Sequence, residues 1–334
     1  MKHFIFQGSH YDIGYRQGSA LLEEGVYIPS HVPFPLTRQR LDFARDCLPA
    51  YERYFSAVLE EIRGIADGQD CAFAAIAGVL FPMYCFTPQA HCSCFALRRG
   101  GRVLLGRNSD FLTALEAHNA NCLYRPAGQG LSFIGNTTAF AEMEDGVNSQ
   151  GLAAGLTSVC PGIPRPGLSA GLLLRLVLET CGDVAGALSL LRRVPTASSH
   201  TMVLADRSGD LALVESCGNR MAVSRPEGPE GWVCAVNAFH LPEMLPLNHP
   251  EEDAWQAEAR YETMRRALSA PSAPWTAQTA MDLLAGRRGF LCQYDRSTGR
   301  DTVWSAVYDL TDGRIYRAEA NPGRTPFVED RRLR

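Results

Sequence analysis

Apolar residues recur at helical spacing through the first ninety positions. After a short first strand, the stretch from residue 41 to residue 70 carries apolar side chains at intervals of three and four, the period of one helix face. Gly68 and Asp70 then give a stop signal. The pattern predicts one long helix, whose buried face holds Leu48, Tyr51, Tyr54, Phe55, Val58, Leu59 and Ile62.

The pattern changes at residue 92. Short apolar runs, CFALRR, RVLLGRN, NCLYRP and LSFIGN, are separated by Gly, Asn or Pro and are typical of antiparallel strands. Later hairpins are predicted at residues 206–209 and at Asp312-Gly313. Two helical stretches interrupt the strands: residues 167–194, with two helices in series, and residues 251–270. Strands grouped around central helices predict a layered α+β fold.

Composition narrows the class of protein. With 46% apolar and 20% charged residues, the chain resembles an ordinary globular protein. A net charge of -4 without a basic stripe argues against nucleic acid as a partner and favours a small-molecule substrate. The start lacks the features of a secretory signal, and the most apolar run, residues 72–86, is too short to span a bilayer. We therefore expect a cytoplasmic chain with no membrane association.

Two cysteines flank one serine at residues 92–94, directly after His91. Thiolate and imidazole are zinc's usual ligands, but no matching cysteine pair follows within the next sixty residues. A second interpretation is that both are inert buried cysteines. We expect this of most of the eleven cysteines, whose scattered spacing does not suggest a disulfide framework. The third interpretation is a nucleophilic thiol.

The residues that follow favour the third interpretation. A hairpin centred on Gly100-Gly101 would bring Arg107 and Asp110 back beside residues 92–94. A cation beside a thiol favours the thiolate and so makes the sulfur a better nucleophile at neutral pH. A carboxylate in the same place can hold an amine in position.

The segment HCSCFALRRGGRVLLGRNSDF resembles the nucleophile region of the N-terminal-nucleophile hydrolases that cleave linear amides. That group contains acyl-coenzyme A:6-aminopenicillanate acyltransferase and the choloylglycine hydrolases. Its pattern is a Cys followed by Ser or Thr, with G-x-N-x-D eighteen or nineteen residues later. Cys92 and Asp110 are eighteen residues apart, whereas Cys94 is sixteen residues from Asp110. Further similar segments, which extend the likeness over nearly the whole chain, are GSHYDIGYRQG, DGVNSQGLAAGL, HTMVLADRSGDLALVES and CAVNAFH.

The resemblance implies a four-layer αββα sandwich and a self-processing cysteine amidohydrolase or acyltransferase that works through a thioester. Residues 1–91 would form a mainly helical segment packed on the same domain, and residues 92–334 the catalytic chain. Cleavage between His91 and Cys92 would free the nucleophile, and the two fragments would stay associated. No cofactor and no metal would be required.

The resemblance also assigns roles to residues. Cys92 would be the nucleophile, Asp110 would orient its freed α-amine, and Arg107 would sit beside the sulfur. Asn237 would donate its side-chain amide to the oxyanion, and Arg260 would be a structural arginine beside the site.

Two positions depart from the family pattern. His91 stands where the acyltransferase has Gly. Thr157 stands where the bile-salt branch has Asn, so the second oxyanion donor is its backbone N–H, its hydroxyl, or is absent.

Several alternatives stay open. The chain is either a hydrolase, an acyl-CoA-dependent N-acyltransferase, an unprocessed non-catalytic binding protein on the same scaffold, or a zinc-binding module. Considered without the resemblance, Asp110 and Asp145 could each cap a turn, and Asn148 could be a turn residue. Arg260 could be a charge on the solvent-exposed face of a helix. An apolar acyl pocket is expected along residues 111–118 and 136–140. Neither the substrate nor homo-oligomer formation can be predicted from the sequence.

Overall fold

The N-terminal segment is mainly helical after one strand, as its periodicity predicts. The computed structural model describes residues 1–86, 91–159, 164–249, 254–270 and 274–333. The elements of the first segment are β1 (Lys2–Gly8), α1 (His10–Glu23), α2 (Ile28–His31), α3 (Arg38–Tyr54), α4 (Ser56–Gly68) and α5 (Phe73–Leu80).

The single long helix predicted up to Gly68 is wrong, because the chain turns at Phe55 between α3 and α4. Phe55 is buried and has φ -147°, outside the helical region. The turn lets α4 lie very close to α1: a Cβ on Gly14 would come within 1.9 Å of the Glu61 carbonyl oxygen. The apolar period continues through the break because both helices face one core, so the pattern alone does not reveal the turn.

Two sheets form the centre of the molecule. The first has eight strands in the order β1-β4-β5-β6-β7-β8-β9-β10, and the second has six in the order β11-β2-β3-β12-β13-β14. The added strands are β2 (His91–Arg99), β3 (Arg102–Leu112), β4 (Ala120–Pro126), β5 (Phe133–Thr137), β6 (Asp145–Asn148), β7 (Leu152–Ser158), β8 (His200–Asp206), β9 (Leu211–Cys217), β10 (Arg220–Ser224), β11 (Gly231–Ala235), β12 (Arg300–Asp309), β13 (Arg314–Ala318) and β14 (Val328–Asp330).

Helices cover both outer faces of the paired sheets. One apolar core joins the eight-stranded sheet to the N-terminal helices and to α6 (Ala170–Thr180) and α7 (Val184–Leu191). A second core lies between the sheets, and a third joins the six-stranded sheet to α8 (Ala257–Ser269) and α9 (Ala277–Leu284). The predicted four-layer αββα sandwich is therefore confirmed. The short helix α9 was not predicted.

The N-terminal segment is built into the sandwich. Its strand β1 pairs in parallel with β4 at the edge of the larger sheet. Glu61 of α4 is fully buried and makes a bidentate pair with Arg175 of α6, with N–O distances of 2.6 and 2.5 Å. His10 lies between Glu61 and Glu179, 3.0 and 2.8 Å away. Burial lowers the pKa of His10, but its hydrogen bonds with Glu179 and Glu61 outweigh burial and raise that pKa to about 9.

Two further observations concern the whole described chain. None of the helices in the described ranges has the length and apolar character needed to cross a bilayer. The cysteines in those ranges are all unpaired, and nearly all of them are buried.

Candidate active site

The hairpin β2–β3 forms as the two glycines predict. Gly100 and Gly101 have φ +57° and +75°, the left-handed conformation that a tight turn between antiparallel strands requires. The register places Cys92 opposite Ser109 and Cys94 opposite Arg107. Because side chains alternate along a strand, the two cysteines and the arginine share the face that points toward the larger sheet.

Arg107 lies directly beside the Cys92 sulfur. Its Nη2 is 2.8 Å from Sγ, and its Nη1 donates to Asp145 Oδ2 at 2.9 Å. Glu144 Oε2 accepts from Nη2 at 3.1 Å, and the carbonyl of Leu156 accepts from Nε at 2.9 Å. Two carboxylates and a carbonyl therefore hold the guanidinium against the thiol. Asp145 serves this contact within β6, so a turn-capping role for it is wrong.

Arg107 lowers the pKa of the Cys92 thiol, as expected of a neighbouring cation, but burial outweighs this effect in the uncleaved chain. Burial raises the pKa of Cys92 to about 12, and Arg107, although it lowers the pKa, does not compensate. Glu144 and Asp110 raise it further. The side chain is 1% exposed, so water stabilises the thiolate very little.

Asp110 lies at the same end of the hairpin but on the opposite face from the thiol. It is opposite His91 in the register, and its carboxylate accepts from Thr302 Oγ1 at 2.6 Å and from the Tyr294 hydroxyl at 2.9 Å. Arg260 is 3.7 Å away. Burial raises the pKa of Asp110 to about 6, although Arg260 and the hydrogen bonds lower it. The buried carboxyl does not cap a turn.

Asn237 and Arg260 hold the backbone of Cys92. The Cys92 N–H donates to Asn237 Oδ1 at 2.8 Å, and Arg260 Nη1 donates to the Cys92 carbonyl at 2.5 Å. Arg260 Nη2 also donates to Asn237 Oδ1, at 3.0 Å. Arg260 is fully buried, so its interpretation as a solvated-face charge is wrong. The Asn237 amide nitrogen donates to the Ser158 carbonyl at 2.8 Å in the uncleaved chain.

Thr157 uses its hydroxyl elsewhere. Its Oγ1 donates to the carbonyl of Val236 at 2.5 Å and lies 2.8 Å from Thr201 Oγ1. Of the three options for a second oxyanion donor, the backbone N–H of Thr157 and the absence of a donor remain.

His91 is fixed on the ring of Trp255, with ring centroids 4.5 Å apart. Burial, with a contribution from Arg260 and Arg300, lowers the pKa of His91 to about 3, so its imidazole is neutral. Trp255 is the middle of three successive non-glycine residues in the left-handed region, at φ 40°, 57° and 59°. The carbonyls of Ala254 and Trp255 accept hydrogen bonds from Arg260, which holds this strained turn over the bond before Cys92.

Sequence reasoning missed several residues of this site. Glu144, Tyr294, Thr302 and Trp255 contact Arg107, Asp110 or His91, yet none of them lies in a segment singled out for chemistry. The one available signal was the acidic pair Glu144-Asp145, which spans the start of the segment DGVNSQGLAAGL. Asn148 is a turn residue, as predicted: its Oδ1 accepts from the backbone N–H of Gln150.

A metal site finds no support in the described part of the chain. Across residues 1–86, 91–159, 164–249, 254–270 and 274–333, no group of three or more His, Cys, Asp or Glu side chains is arranged to hold a metal ion. Cys94 points into the apolar core between the sheets.

Comparison with known proteins identifies the family. The sequence model of the acyl-coenzyme A:6-aminopenicillanic acid acyl-transferase family matches residues 97–324, well over half of the chain. The chain belongs to this family. The match includes five of the predicted site residues and begins five residues after Cys92. Membership in this family supports an enzyme of the acyl-transferase class.

Solved structures with a similar fold come from several organisms. Penicillin V acylase from Agrobacterium tumefaciens shares 16% identity over 69% of this chain and 83% of its own, with a TM-score of 0.47. The N-acylethanolamine-hydrolyzing acid amidase ortholog of Caenorhabditis elegans shares 14% identity over 66% of this chain and 93% of its own, with a TM-score of 0.47. A mutant of conjugated bile acid hydrolase from Clostridium perfringens shares 12% identity over 72% of this chain and 96% of its own, with a TM-score of 0.46. A comparison with curated proteins gives no significant match.

Proposed function

We propose that this chain is a self-processing cysteine amidase that hydrolyses a linear amide of a small molecule through a thioester. One observation carries the proposal: the Cys92 sulfur contacts Arg107 at 2.8 Å, while the Cys92 N–H bonds to Asn237 at 2.8 Å. Buried polar side chains thus contact both the peptide bond that would be cut and the atom that would attack it. An inert core cysteine needs neither contact.

Activation is an attack by Cys92 on the bond before it. Sγ adds to the His91 carbonyl carbon, the C–N bond breaks, and the Cys92 nitrogen leaves as an amine that takes up the thiol proton. Water then hydrolyses the thioester and releases residues 1–91 with a new carboxylate. The hydrogen bond from Arg260 to the Cys92 carbonyl holds this backbone still during the step.

Turnover repeats the attack on an external amide. The freed α-amine has an unperturbed pKa of about 7.7 to 8.0, so near neutral pH it can accept the thiol proton and pass it to the leaving amine. The acyl group then rests on Sγ until water releases it and restores the thiol. Asp110 is proposed to orient the α-amine, and Asn237 to stabilise the oxyanion.

Self-cleavage should accelerate as the pH rises. Because burial raises the pKa of Cys92 to about 12, only a small thiolate fraction exists at neutral pH, and this fraction grows about tenfold per pH unit. Uncleaved chain refolded at a series of pH values between about 6 and 9 should therefore form fragments with a logarithmic rate slope near one. Intact-mass measurement gives the rate. A rate that is flat or falls over this interval would exclude the thiolate as the attacking species.

Asn237→Ala should slow the chemical step by about 100-fold to 1000-fold, the usual cost of one lost oxyanion donor. Asn237→Asp is the matched variant, because it keeps the acceptor oxygen near Cys92 and removes the amide donor. An oxyanion role predicts that both variants lower kcat alike in processed enzyme. A kcat that is unchanged in Asn237→Ala would remove Asn237 from the site, and recovery in Asn237→Asp would assign it to holding the amine.

Acyl transfer is the second candidate, favoured by the family to which the chain belongs. Hydrolysis and transfer differ in whether water or another amine resolves the thioester. Hydrolysis is preferred because water needs no second binding site. An acyl-CoA donor and a primary amine, supplied together, should give little amide product beside free acid; predominant amide product would establish the transferase.

A further inference from the structure

An apolar cavity of about 340 Å³ lies where the N-terminal segment meets the rest of the chain. Its volume falls within the range of small-molecule sites. Phe111 and Leu115 line it from one of the segments expected to form an acyl pocket, and Thr138 to Phe140 line it from the other. Phe34 and Met83 close it from the side of residues 1–91.

A chain of hydrogen bonds connects the wall of the cavity to the proposed nucleophile. Thr138, in its wall, donates to Glu144 Oε1 from its backbone N–H at 3.1 Å and from its hydroxyl at 2.5 Å. Glu144 contacts Arg107, which contacts the Cys92 sulfur. Tyr84 lines the cavity as well, and its buried hydroxyl has no partner. Burial raises the pKa of Tyr84, and the charge of Glu144 raises it further, so Glu144 lies close enough to act on this hydroxyl.

Among the residues that the structure describes, Arg40 in this cavity has no acidic partner. Arg40, in the first turn of α3, is 7% exposed, and its Nη1 is buried without a hydrogen-bond partner. Its guanidinium carbon lies 3.7 Å from the centroid of the Phe34 ring, a cation–π contact that fixes the group in place. Arginine side chains are rarely buried without an acidic partner, because desolvating the charge is costly.

The other polar groups of the lining do not neutralise Arg40. The described lining residues include no Asp and no Glu. Lys2 is paired with Glu24, and His31 and His118 contact each other through their Nε2 atoms at 3.2 Å. Gln17 presents a buried Oε1 that has no partner. The cavity is therefore apolar along its walls and positive at one fixed point.

We infer that the acyl group of the substrate is an apolar chain that ends in a carboxylate, and that this carboxylate pairs with Arg40. The inference rests on the proposed amidase function, because it assigns the cavity to the acyl half of the amide. The apolar walls would hold the chain, and a charge-assisted hydrogen bond from Nη1 would hold its end. Arg40 belongs to residues 1–91. After self-cleavage, substrate selection would therefore depend on a segment that is no longer covalently linked to Cys92.

Matched amides test this inference. We would use a series of 4-nitroanilides of increasing acyl-chain length, each prepared with a terminal carboxylate and with a terminal methyl group. Processed enzyme should show at least about tenfold higher kcat/KM for the carboxylate at the best chain length, the effect of one charge-assisted hydrogen bond. Arg40→Met should abolish this preference by lowering kcat/KM for the carboxylate-terminated amide. Arg40→Lys should keep part of the preference.

Arg38→Met is the matched control, because Arg38 begins the same helix and is almost fully exposed. It should leave both rates unchanged. Absence of a carboxylate preference in the natural chain, or its persistence in Arg40→Met, would overturn the inference.

Binding separates this inference from the proposed catalysis. If neither anilide is hydrolysed, the amidase proposal fails, and calorimetry on the full-length Cys92→Ala chain still decides the role of Arg40. Carboxylate-terminated anilide should bind at least about tenfold more weakly when Arg40→Met is added. Equal binding in both chains, or no binding to either, would overturn the inference.

Discussion

Replacing Cys92 by alanine should leave the chain whole and abolish amide hydrolysis. The variant lacks the only atom proposed to attack either the His91 carbonyl or a substrate, so both activities should fall by at least about ten-thousandfold. Intact mass and N-terminal sequencing give the first readout, and hydrolysis of a 4-nitroanilide series gives the second. In the natural chain we expect two fragments, of which the larger begins at Cys92.

Cys94→Ala is the matched control. Cys94 lies on the same strand and the same face and is fully buried, but its sulfur lies in the apolar core near Gly155. This variant should still cut itself before residue 92. Cleavage lost in Cys94→Ala and retained in Cys92→Ala would reverse the assignment. A chain that stays whole in the natural form would favour the non-catalytic binding protein.

Glu61→Gln should destabilise the fold by about 3 to 5 kcal/mol. Removing one charge of a buried pair leaves the other poorly compensated, and here the fully buried Arg175 would keep its longer contact of 3.7 Å with Glu179 but lose its bidentate partner. The neighbouring His10, which is charged because its pKa is about 9, would lose one of its two carboxylate partners. Urea unfolding in the Cys92→Ala background measures the free energy of unfolding on one continuous chain.

Glu60→Gln provides the comparison one residue earlier on the same helix. Glu60 pairs with Arg63, but both side chains are about half exposed. Exposed ion pairs contribute little, so this substitution should change the free energy of unfolding by less than about 1 kcal/mol. A Glu61→Gln effect as small as that of Glu60→Gln would show that the buried cluster does not join the two segments.

The hairpin at the centre of the site was predictable because its geometry is local. Gly100-Gly101 fixes the turn, the turn fixes the register, and the register brings Arg107 back beside Cys92 and Cys94. The layered α+β class followed from the change of period near residue 92. The four-layer arrangement came from the family resemblance, not from the periodicity.

The remaining site residues were hidden because Glu144, Tyr294 and Trp255 lie outside the strands, while Thr302 lies in a strand that is buried on both faces. Along β6 every residue is buried, so no alternation of exposed and buried positions marks Asp145 as special. The directions of hydrogen bonds were equally hidden: the Thr157 hydroxyl turns to Val236 because the end of β11 happens to approach there. The effect of Arg107 on the pKa of Cys92 was predictable because the cation is visible in the sequence, whereas the opposing effect of burial was not.

The pairing of β1 with β4 has a consequence for the lifetime of the processed protein. Before the cut, the peptide link holds the two segments at an effective concentration on the order of millimolar. After the cut, a departing N-terminal segment would uncover a sheet edge, and its return would become a bimolecular reaction at the far lower concentration of the protein itself. Refolding that is first order in the precursor would become second order in the product. The durability of the processed enzyme is then set by the rate at which its segments separate, rather than by an equilibrium free energy.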